Sequence, residues 1–166
     1  GMALTPYCSN DEVRAVLGVT TSELKDDVLN LPVYEMGLRR ELIRVSSSLP
    51  AAFSTVNSLT TRTETEQTLY EASKLFAVYA VAKQAGASVA LAAPKGLTDD
   101  KSGFDRFADA PYKDVLMRVD TAYAAARQDL VDAYAAYAGA STGTGFYGLP
   151  SGMVVSSRTY DPVTGS

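Results

Sequence analysis

The chain contains no histidine and only one cysteine, Cys8, in 166 residues. Without histidine, neither a Ser–His nor a Cys–His nucleophile pair can be assembled, and zinc sites built from cysteine and histidine fall with them. A lone cysteine cannot close an intrachain disulfide, so nothing points to an oxidising compartment; Cys8 reads as a small, partly buried apolar residue. No apolar run approaches the roughly 20 residues of a membrane span, and no basic leader precedes an apolar stretch, so no signal peptide is expected. Phosphate-cradling loops are missing as well. There is no G-x-x-x-x-G-K-[ST], and the one G-x-G-x-x-G string, Gly143 to Gly148, follows a helical pattern rather than a strand and reads as linker. A net charge of −4, from 15 basic and 19 acidic residues, argues against a general nucleic-acid-binding surface, because phosphate contacts need clustered cations.

What remains is an ordinary globular composition, 46% apolar and 20% charged, in a length that suits one domain. The order within it is helical. Ser9-Asn10-Asp11-Glu12 has the capping-box pattern, and Gly18 stands where a left-handed residue closes a short helix. Thr20 to Glu23 repeats the box. Behind it Leu24, Val28, Leu31, Leu38, Leu42, Val45 and Leu49 step by three and four, broken only by Glu35, which predicts one apolar face over several turns. Pro32 predicts a break or kink within that stretch. Residues 46–62, rich in Ser and Thr and holding Pro50, read as a connector. Thr63 to Glu66 gives a third capping box ahead of the most apolar helix, which carries Leu69, Leu75, Phe76, Val78, Tyr79 and Val81; Gly86 is a candidate end, and Ala87–Ala93 could add another turn or two before Pro94. A last long helix is predicted over about 111–138, where Leu116, Val119, Tyr123, Ala126, Leu130, Ala133 and Tyr137 share a face. Its alanines allow a neighbouring helix to approach closely. The expectation is an all-α protein: a compact bundle of four to five helices over residues 7–138.

Residues 139–166 differ. They hold six glycines and two prolines, with Arg158 and Asp161 the only charged side chains. Such a segment cannot bury enough surface to fold alone, yet it keeps Phe146, Tyr147, Leu149, Met153, Val154, Val155 and Tyr160. It reads as an extended C-terminal arm that docks on a partner through those residues. Met153–Tyr160 has strand character suited to pairing with a partner's edge or another copy.

Candidates for chemistry are few. Asp99, Asp100, Asp105 and Asp109 could gather a hard cation, but their spacing does not fit an EF-hand loop, and Lys101 and Arg106 sit among them, so a solvated or salt-bridged loop is expected and no metal or cofactor is assigned. Lys74 and Lys83 read as polar-face residues of the third long helix rather than nucleophiles. Arg39, Arg40 and Arg44 form the strongest basic patch. With Tyr123, Tyr134 and Tyr137, amphipathic anchors of a kind enriched at interfaces, they make up a possible subunit interface.

Taken together, the short opening helix Ser9-Asn10-Asp11-Glu12-Val13-Arg14-Ala15-Val16-Leu17-Gly18-Val19, the acidic segment Glu23–Asp27, the central Tyr70–Tyr79 and the loop ending Asp105-Arg106-Phe107 before Pro111-Tyr112 resemble the head–tail connector (adaptor or neck) proteins of tailed bacteriophages. The resemblance covers residues 7–138. It implies a structural, non-enzymatic subunit of the virion, assembled in the host cytoplasm. Such subunits dock as a homo-oligomeric ring beneath the portal, partly through their C-terminal arms, and contact downstream tail or neck proteins. DNA passes through the channel without specific binding. The family has no catalytic residues to carry over. The nearest alternative is another helical interaction module, a packaging-complex or regulatory subunit; a metal-dependent hydrolase using the 99–109 acids is a third.

Overall fold

The computed structural model describes residues 4–92 and 110–143. Among them are six helices and no strand: α1 (Asn10–Leu17), α2 (Asp26–Leu29), α3 (Pro32–Val45), α4 (Leu49–Ser58), α5 (Glu64–Ala92) and α6 (Ala110–Gly143). At 1.5 Å per residue α5 and α6 are about 44 and 51 Å long. They pack side by side along their lengths and form the frame, with α1, α3 and α4 laid against α5. The core runs through Leu17, Leu38, Leu42, Phe53, Leu69, Phe76 and Leu130, all buried.

The helix starts follow the capping chemistry written in the sequence. Ser9 Oγ accepts from Glu12 N at 3.2 Å while Ser9 N donates to Glu12 Oε1 at 2.8 Å. Thr63 and Glu66 make the same reciprocal pair ahead of α5 at 3.3 and 2.8 Å. Gly18 ends α1 at φ 69°, and the N–H groups of Gly18 and Val19 return to Ala15 O and Arg14 O, a Schellman closure.

Four expectations need correction. The Thr20–Glu23 box forms, with bonds of 2.9 and 3.3 Å, but it caps only a turn. Pro32 cannot donate to an upstream carbonyl and instead starts α3, leaving α2 as one turn. The continuous stripe is thereby interrupted: Leu29 is buried, whereas Val28 and Leu31 are 38% and 49% exposed. Residues 46–62 are not a connector, since Leu49–Ser58 is helical, with Pro50 in its first turn and Leu49, Phe53 and Val56 buried at i, i+4 and i+7. Gly86 does not end α5, and Gly139 does not end α6; neither has positive φ, and an isolated helical glycine costs only about 1 kcal/mol against alanine. The first five residues of the 139–166 arm, 139–143, belong to α6; the remainder lies outside the described residues.

A polar clasp ties the N-terminal elements together. Arg14, with 7% of its side chain exposed, reaches Asp11 Oδ1 at 2.6 Å and Asp26 Oδ1 at 2.8 Å, and donates to Leu24 O at 2.9 Å. Buried Asn10 donates its amide protons to Asp26 Oδ1 and Asn30 Oδ1 at 3.2 and 3.0 Å. The Arg14 guanidinium, then the Asn10 amide, hold the Asp26 carboxyl below its ordinary range.

Candidate functional site

The α5–α6 pair has two seams. On one, α3 lies over a cleft of about 580 Å³ lined by Leu38, Glu41, Ala80, Lys83, Asp120 and Tyr123. Its polar groups answer one another. Tyr123 Oη donates to Glu41 Oε1 at 2.7 Å, Arg44 Nη1 stands 3.5 Å from Glu41 Oε2, and Lys83 Nζ lies 3.8 Å from Asp120 Oδ1 and 4.3 Å from the Tyr123 ring centre. Burial first, then the hydrogen bond and charge of Glu41, push the Tyr123 phenol up to about 12. A phenol held there stays protonated near neutral pH and serves as a hydrogen-bond donor to Glu41. The arrangement fastens α3 to the frame.

On the other seam, the first half of α5 and the second half of α6 border a groove of about 470 Å³. Ala72, Ala126, Ala133 and Ala136 floor it, Leu75 projects into it 49% exposed, and Glu71, Asp129 and Asp132 rim it. Glu71 and Asp132 accept from the neutral amides of Gln67 and Gln128 at 2.7 and 3.0 Å. Among the described residues no cation lies within 4.0 Å of the three carboxylates. A third hollow, of about 420 Å³, lies where α1 meets the frame beside Tyr79 and Val119.

The outer face of α3 is the counterpart of its buried side. While Tyr34, Leu38 and Leu42 point inward, Val33, Met36 and Ile43 are 49%, 62% and 40% exposed. Arg39, Arg40 and Arg44 are exposed beside them. Three large apolar side chains at i, i+3 and i+10 make a ridge in solvent with basic shoulders.

The structure thus brings Arg44 and Tyr123 together through Glu41 and leaves Arg39 and Arg40 on the ridge. Tyr123, Tyr134 and Tyr137 pack half-buried against the chain's own core, the last two with ring centres 6.4 Å apart. Lys83 is engaged as described, and Lys74 Nζ stands 5.2 Å from the Tyr70 ring centre. Cys8 is buried, and burial with the nearby Glu12 charge pushes its thiol up to about 12. The arm residues Phe146, Tyr147, Leu149, Met153, Val154, Val155 and Tyr160, and the loop acids Asp99, Asp100, Asp105 and Asp109, lie outside the described residues. Among the described residues no group of three or more Asp, Glu or Cys is placed to hold a metal ion, and no helix is long and apolar enough to cross a membrane.

Sequence reasoning passed over two features. The Arg14 clasp was announced only by the i, i+3 spacing of Asp11 and Arg14. The acidic groove was announced by Asp129 and Asp132 flanking the alanine face of α6, but its third acid comes from α5 and becomes a neighbour only through packing. No protein-family model, curated protein or solved structure matches the chain.

Proposed function

We propose that the chain is a structural, non-enzymatic subunit of a tailed-bacteriophage head–tail connector. In this reading it docks as a ring beneath the portal, contacts downstream tail or neck proteins, and extends the channel through which DNA passes. Residues of the 139–166 arm, Phe146, Tyr147, Leu149, Met153, Val154, Val155 and Tyr160, make the portal contact.

Support comes first from the sequence pattern, whose opening helix, central helix and final helix correspond to α1, α5 and α6. The observation that carries the reading is the outer face of α3. A bundle that already buries a continuous core still presents Val33, Met36 and Ile43 to water beside three arginines. Exposed apolar ridges of this kind mark surfaces covered in an assembly. A net charge of −4 suits a conduit that must not grip phosphate.

The test is co-sedimentation of the full chain with portal rings of the same virus. The chain is expected to pellet with the ring at a fixed stoichiometry, and replacing Phe146, Tyr147 and Leu149 by serine is expected to abolish this. A chain that ignores the portal, or that binds it equally well with those replacements, would favour another kind of helical interaction module.

A further inference from the structure

We propose that the outer ridge of α3 in one copy of this chain seats in the acidic α5–α6 groove of a second copy. The contact would be head-to-tail, repeated from subunit to subunit.

The two surfaces match in charge, shape and length. The ridge carries Arg39 and Arg40, the latter also bordering the α3 cleft, while Arg44 is paired with Glu41; the groove is rimmed by Glu71, Asp129 and Asp132. Arg39 and Arg40 meet no carboxylate within 4.0 Å among the described residues, so both sides enter the contact with charge to satisfy; opposed patches of this kind fix partner and register. The ridge is convex and apolar, and Met36 is its most exposed member at 62%. The groove is floored by alanines, which let a third helix come close to α5 and α6. From Val33 to Ile43 and from Ala126 to Ala136, ridge and groove each run about 15 Å.

The two surfaces of one molecule cannot meet. The inner face of α3 is held on the opposite seam by Leu38, Leu42 and the Glu41–Tyr123 bond. On α6, the row through Tyr123 and Asp120 lies about 130° around the helix from the row through Asp129 and Ala133, at roughly 100° per residue. The pairing is therefore between copies and joins unlike patches. Such heterologous contacts propagate, giving a ring where the rotation closes and a filament where it does not. Closure into a ring rests on the connector reading; the pairing rests on the surfaces alone.

Sedimentation equilibrium of the full chain tests it. Arg39→Glu with Arg40→Glu reverses the ridge, and Asp129→Arg with Asp132→Arg reverses the groove; all four positions are exposed, and circular dichroism confirms that each variant is folded. Wild type is expected to associate with rising concentration, and less at about 0.5 M salt, where exposed charges are screened. Each double variant is expected to associate at least tenfold more weakly, as for lost complementary charge pairs. An equal mixture of the two is expected to regain association, because the reversed charges again oppose. Wild type remaining monomeric at about 1 mM, a concentration that exposes even a 4 kcal/mol contact, would overturn the pairing. So would association that survives the groove reversal, the result expected if residues 144–166 of the same chain fill the groove, or a mixture of folded variants that stays apart. Portal binding is measured separately. A chain that binds the portal without self-pairing leaves the connector reading in place, and self-pairing without portal binding does the reverse.

Discussion

Tyr123 and Glu41 are 82 residues apart in the chain and 2.7 Å apart in the fold, joined by a hydrogen bond from the phenol to the carboxylate. The bond connects α6 to α3 across the seam where Phe76, from α5, also meets the Tyr123 ring with centres 5.5 Å apart. Three helices are thus tied at one aromatic side chain.

Because the Tyr123 phenol is raised to about 12 in the folded protein from an ordinary value near 10, its contribution to stability is complete below about pH 10. It declines as pH rises toward 12, since the unfolded chain loses that proton first. Alkaline denaturation followed by circular dichroism should show this limb, and Tyr123→Phe should reduce it, leaving the part that the buried Cys8 thiol and Tyr7 phenol contribute. Loss of the bond at neutral pH should cost Tyr123→Phe about 1–2 kcal/mol, with Glu41 left half-buried.

At the other end of the pH scale, the Arg14 clasp predicts acid sensitivity. The folded Asp26 carboxyl is depressed, so its stabilising effect is full above the ordinary aspartate value of about 3.9 and disappears as pH falls through the lower folded value. Asp26→Asn should flatten that acid limb in urea melts taken from pH 6 downward. Arg14→Ala should cost about 1–3 kcal/mol at neutral pH, because Leu24 O loses its buried donor.

Two glycines in helices should respond to alanine with opposite signs. At Gly86 a Cβ would stand 2.8 Å from both Leu17 Cδ2 and Leu116 Cδ2, and Leu17 is fully buried. Overpacking of about 1–3 kcal/mol exceeds the gain of about 1 kcal/mol in helix propensity, so Gly86→Ala should lower Tm. At Gly37 the Cβ meets only the amide end of Gln84, at 2.7 Å. That side chain is exposed and can swing away, so Gly37→Ala should raise Tm by a few degrees.

Cys8 should be inert in the native state. Its thiol is buried and raised to about 12, and the thiolate is the reactive form. Reaction with a disulfide reagent at pH 8 should track global unfolding in urea; fast labelling without denaturant would contradict the burial.

Where local chemistry decided the outcome, the sequence was readable. Ser9 and Thr63 cap as their patterns require, Gly18 takes the left-handed conformation, and the apolar row of α6 faces the frame. Misreadings arose where one strong signal masked another. The Ser and Thr residues around α4 suggested a connector, although Leu49, Phe53 and Val56 already had helical spacing and Pro50 marked a start. The break expected at Pro32 is there, but the four-three stripe was carried across it, and the turn before Pro32 buries Leu29 rather than Val28 and Leu31. Gly86 was a candidate helix end and the last helix was expected to stop near 138, yet both run on; at Gly86 close packing against Leu17 and Leu116 accompanies the continuation. The groove of Glu71, Asp129 and Asp132 was not legible at all, because residues on two helices become neighbours only after α5 and α6 have met.

The fold places four helices against one. α1, α3, α4 and α6 all lean on α5, and α5 is not complete until Ala92. During synthesis, then, the first four helices emerge before the helix against which α1, α3 and α4 bury their apolar sides. Once α5 has followed, its flank bearing Phe76 stays wet until the translating ribosome has released α6. A chain halted near residue 92 should therefore be sticky and prone to degradation, and expression of this protein should be most sensitive to pausing within the stretch between its two longest helices.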